Sequence, residues 1–75
     1  TTLKDAIGIN DRFLFIRELF EGNPESYAQA ILKLDEAVCL SDARALLSGY
    51  THGKAESEAA KQLLELVKRK YPGNE

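Results

Sequence analysis

The chain has 75 residues, one cysteine, two prolines and five glycines, and its ten Lys and Arg are outnumbered by twelve Asp and Glu, for a formal net charge of -2. A chain this short buries only roughly 60% of its unfolded surface, which excludes a roomy interior cleft and leaves about 3–5 kcal/mol of net stability. Cys39 and His52 each stand alone, so neither an internal disulfide nor the usual Cys/His zinc set can form, and the acidic balance makes a polyanion a poor default partner.

No apolar run approaches the roughly 20 residues of a membrane span, and the opening Thr1 to Asn10 lacks the basic-then-apolar layout of a signal peptide. A cytoplasmic location is the expectation. The chain begins at Thr1 without Met, as a piece of a longer polypeptide would.

Read in chain order, the sequence predicts an all-α bundle of four short helices over 11–21, 24–36, 42–48 and 54–70, with a loose N-terminal turn over Thr2 to Ile7 ended by Gly8. The first helix is signalled by Asn10 as cap, Asp11 at the positive helix end, Ile9 stapled onto Phe13 or Leu14, and Gly22 as the stop. Asn23-Pro24-Glu25 opens the second with a cap, a proline at the first helical position and an acid in the first turn. Ser41-Asp42 opens the third and Gly49 is its expected left-handed terminator. Residues 50–53 form a loop. The last helix has Glu56 and Glu58 near its start and Lys68-Arg69-Lys70 near its end, as the macrodipole favours, with Pro72-Gly73 closing it.

Projection at about 100° per residue places Tyr27, Ala30, Ile31, Leu34 and Val38 on one core stripe, and Ala59, Leu63, Leu66, Val67 and Tyr71 on another. The first helix is more apolar. Phe13, Phe15, Ile16, Leu19 and Phe20 cover an arc of roughly 160°, so this helix is the expected buried, central element. Leu14 falls outside that arc among charged residues, and Arg12 projects into it.

The run from Ala6 to Phe20, reading A-I-G-I-N-D-R-F-L-F-I-R-E-L-F and followed by Gly22, resembles the opening of a family of small uncharacterised bacterial helical domains. The closing helix of that family is similar to Glu58 to Tyr71, so the resemblance spans most of the chain. It implies a compact accessory domain, often at the C-terminal end of a longer protein, and brings no activity, cofactor or catalytic residue with it.

Five residues are candidates for an interface. Arg12 sits at the positive end of a helix, where a cation needs compensation: either it holds an anion or a partner carboxylate, or its stem covers apolar surface while it pairs with Asp35 or Glu36. Leu14, beside Arg17, either meets a partner or is a tolerated exposed apolar residue. Leu64 and Tyr71 either extend that patch or pack on the N-terminal turn. His52 reads as a solvated loop histidine, Cys39 as a small buried apolar residue, and the adjacent acids Asp35-Glu36 as solvated, since neighbours on a helix point apart.

No G-x-S-x-G, P-loop, dinucleotide-binding glycine pattern, EF-hand loop or H-E-x-x-H occurs. The resulting expectation is a non-enzymatic module that binds a protein partner or a second copy of itself, without a cofactor. The alternative is a nucleic-acid-binding domain acting through Lys33, Lys68, Arg69 and Lys70, a cluster that helix-end charge compensation explains more simply.

Overall fold

The computed structural model describes residues 2–54 and 56–71, and the expected closure at Pro72-Gly73 lies outside them. Five helices follow one another: α1 (Leu3–Ala6), α2 (Ile9–Leu19), α3 (Pro24–Asp35), α4 (Leu40–Tyr50) and α5 (Glu58–Lys70). The all-α architecture is the one predicted, with the N-terminal turn realised as α1.

Capping explains most of the boundaries. The Thr2 hydroxyl accepts from the Asp5 amide at 3.1 Å and opens α1. Asn23 accepts from the amides of Glu25 at 3.0 Å and Ser26 at 3.2 Å, as its place before Pro24 foretold. The Ser57 hydroxyl accepts from Ala60 N at 3.2 Å, so α5 begins at Glu58 and not at residue 54. Before it, Gly53 adopts φ 78°, Lys54 N donates to Thr51 O at 2.7 Å, and Ser57 N donates to Lys54 O at 3.0 Å.

The expected bounds of α2 and α4 also move. The cap of α2 is Gly8, with Asn10 inside the first turn. The helix stops through two consecutive left-handed residues, Glu21 at φ 54° and Gly22 at φ 79°, with Gly22 N donating back to Ile16 O at 2.8 Å. Helix α4 starts at Leu40, two residues before the expected 42, because Leu40 is buried and Asp42 reaches back from inside the first turn to accept from Val38 N at 3.4 Å. It also runs through Gly49, which terminates nothing: Thr51 closes the helix, its amide and its buried hydroxyl both donating to Leu47 O at 2.9 Å.

The core is one cluster drawn from every helix, and Phe15, Leu3, Leu34, Leu63 and Val67 are its largest fully buried side chains. Phe20 joins three helices at one end, meeting the Tyr27 ring edge-on at 5.9 Å and the Tyr50 ring at 6.1 Å. The expected centrality of the α2 segment is only half realised. Helix α5, lined by Ala59, Ala60, Leu63 and Val67, packs on α1, α2 and α4, whereas α2 packs on α5 and α3 and turns Phe13 outward. Small residues explain the difference, because Ala59 and Ala60 let neighbouring backbones approach α5 closely while α2 carries bulky side chains around too much of its circumference.

Candidate functional site

Among the described residues, four large apolar side chains stand in water: Ile9 at 67% exposure, Phe13 at 60%, Leu32 at 59% and Val38 at 87%. Val38 was expected on the core stripe of the second helix, but α3 ends at Asp35, so the helical projection no longer applies three residues later. Cys39, expected to be buried, is exposed for the same reason.

Ile9 and Phe13 are one helical turn apart on α2, and the Arg12 guanidinium lies 5.9 Å from the Phe13 ring centroid. Ile9 and Leu32 line an open groove of about 670 Å³ between α1, the start of α2, and α3. Ile7, Tyr27 and Ile31, all buried, form its apolar floor, with Pro24 and Ala28 along the α3 side. Lys4, Asp5, Arg12 and Asp35 supply its charge. Burial pushes the Tyr27 hydroxyl above its ordinary pKa of 10.0, against the opposing influence of Arg12 and with reinforcement from Asp11, so the floor is uncharged at neutral pH.

Asp35 is not the solvated acid expected from its neighbour Glu36. Its side chain is 14% exposed, Oδ1 lies 3.0 Å from Lys70 Nζ and accepts from the Leu3 amide at 2.6 Å. One carboxylate therefore ties the start of α1 and the end of α5 to the end of α3. Beside it the Tyr71 hydroxyl donates to Leu34 O at 2.6 Å, and burial raises its pKa above 10.0 despite the nearby Lys70 cation.

The candidate interface residues separate into two groups. Arg12 and Arg17 are exposed; Arg12 faces the groove rather than pairing with Asp35 or Glu36, and Arg17 Nε donates to Glu18 at 3.1 Å. Leu14, Leu64 and Tyr71 are half-buried and pack against the core, Tyr71 reaching α3. Of the basic residues, Lys70 is held by Asp35 and Lys68 lies 3.6 Å from Glu65 on its own helix. The exposed His52 sits beside Thr51, whose hydroxyl is committed to Leu47 O. Among the described residues no group of three His, Cys, Asp or Glu side chains is placed to hold a metal ion, and no helix is long and apolar enough to cross a membrane.

Sequence reasoning missed Ile9 and Leu32. Ile9 was assigned to a staple on Phe13 or Leu14, and Leu32 lies off the core stripe of α3, which was the available signal. The groove itself joins residues 4 to 35 through three helices, and no single helical projection contains it.

What these elements define is a small five-helix domain with a solvent-open, partly apolar groove. The model of a family described as a domain of unknown function (DUF8457) matches residues 4–72, and the chain belongs to that family, which carries no assigned function. No curated protein and no solved structure gave a significant match.

Proposed function

We propose that the chain is a non-enzymatic protein-binding module whose contact surface is the groove between α1, α2 and α3. The observation that carries this reading is that two exposed apolar side chains, Ile9 and Leu32, line one groove over an apolar floor, with the exposed Phe13 one helical turn from Ile9: exposed apolar residues are ordinary when scattered, and mark interaction surfaces when they adjoin. The reading moves the contact away from Leu14, Leu64 and Tyr71, whose apolar surface is partly used in packing. The commitment of the Thr51 hydroxyl to Leu47 O removes the nucleophile adjacent to His52 in sequence, which supports a binding role over a catalytic one. The engagement of Lys70 by Asp35 weakens the nucleic-acid alternative in the same way.

Photo-crosslinking tests the proposal. With benzoylphenylalanine in place of Leu32, a discrete adduct is expected in the host cell, and none with the same group in place of Gln62, an exposed position on α5. An adduct of twice the 8.3 kDa chain mass identifies a second copy, and any other discrete mass a different protein. Equal, diffuse labelling from both positions overturns the proposal.

A further inference from the structure

The groove carries a charge pattern that its apolar lining does not explain. Among its acids, Asp35 is already matched by Lys70 and by the Leu3 amide. Lys4 and Arg12, by contrast, have no carboxylate within ion-pair distance among the described residues, and Arg12 meets only the Phe13 ring. The groove rim is thus left with two uncommitted cations against the single acid Asp5, on a chain whose net charge is -2.

Resting on the reading of the groove as a protein-binding surface, we infer that its occupant is an acidic amphipathic segment of a partner protein. Apolar side chains of that segment seat on Ile9, Ile31 and Leu32 while its carboxylates face Lys4 and Arg12. A helix laid in a groove presents anchors at i, i+3, i+4 and i+7, with room for acids on both flanks. Charge complementarity selects the acidic class, because a basic segment would meet Lys4 and Arg12 with like charge, whereas an acidic one desolvates no cation without a partner. A small molecule fits less well: the exposure of Ile9 and Leu32 leaves the groove open on one side, and ligand sites bury most of their ligand. A second copy fits less well too, since two such rims facing each other would oppose like charges.

The test is selection from a displayed library of random 16-residue peptides on the intact chain, on Leu32→Glu, and on the double variant Lys4→Glu/Arg12→Glu. All three positions are exposed, and circular dichroism melts verify folding; Ile9→Glu replaces Leu32→Glu if that variant unfolds. The expected result is enrichment of peptides with helically spaced apolar residues and an Asp/Glu excess, lost on Leu32→Glu. Affinities of the selected peptides are expected to fall about tenfold on the charge-reversed variant and to weaken with salt. Enrichment that depends on Leu32 but has a neutral or basic bias, unchanged by charge reversal, overturns the inference and leaves the protein-binding reading standing. Absence of any enrichment that Leu32→Glu abolishes overturns both. A concentration-dependent dimer in light scattering, abolished by Leu32→Glu, makes a second copy the occupant and overturns the acidic-segment assignment alone.

Discussion

Glu21 and Gly22 show what a single backbone position costs. Both adopt left-handed φ, a conformation that costs an L residue about 1–2 kcal/mol and glycine nothing. No atom lies within 4 Å of where a Gly22 side chain would begin, so the penalty there is conformational and not steric. Gly22→Ala is expected to lower stability by about 1–2 kcal/mol, and Glu21→Gly to raise it by up to about 1 kcal/mol, in urea denaturation. A loss at both positions would show that Glu21 makes a compensating contact. Gly22 was legible in the sequence as a helix stop. The strain at Glu21 was not, because glutamate carries no turn preference and only the return of the Gly22 amide to Ile16 forces it. Asp35 was misread for a related reason: its partners, Leu3 and Lys70, lie 32 and 35 positions away, and a local pattern cannot reveal them.

Helix α2 separates composition from burial. Its apolar richness reads as a buried central helix, yet Phe15 is completely buried and Phe13, two positions earlier, is 60% exposed. Phe15→Ala is accordingly expected to cost about 3–5 kcal/mol and to unfold much of so small a domain, while Phe13→Ala stays within about 0.5 kcal/mol. Thermal melts of the two variants check this, and similar losses in both would refute the orientation of α2. The same helix shows where legibility ends. Phe15, Ile16, Leu19 and Phe20 were identified as core from spacing alone, because they face two neighbours whichever way those cross. The fate of Ile9 and Phe13 depended on whether α3 came far enough forward to cover them, and tertiary placement decides that. In α4 the misleading signal was Gly49, because glycine ends a helix where it takes the left-handed conformation, and Gly22 and Gly53 do so whereas Gly49 stays helical.

At the scale of the whole molecule, fold class was readable because 3.6-residue periodicity recurs along the chain and Gly22 and Asn23 punctuate it. The groove was unreadable because its two sides are a dozen or more residues apart in sequence. The closure of the fold predicts a pH response. Burial raises the pKa of Tyr71 and of Tyr27 above 10.0, so the folded state holds these protons more tightly than the unfolded chain. Their contribution to stability is complete below pH 10 and is lost as pH rises through the folded values. Urea midpoints measured from pH 8 to 11 are expected to be level, then fall; Tyr71→Phe should lower the plateau by about 1 kcal/mol, the worth of one hydrogen bond, and make the alkaline fall shallower. An unchanged slope in that variant would assign the fall to Tyr27 alone.

The clasp at the end of α3 has a mechanical consequence. Leu3 and Lys70 meet on the same carboxylate, so tension applied through these two positions does not travel along the helices but falls first on Asp35 and the Tyr71–Leu34 hydrogen bond. The clasp is the first contact to take the load: once Asp35 lets go, the pull passes to the packing of α1 on α3 and α5, and so to the floor of the groove, which α1 and Ile7 help to build.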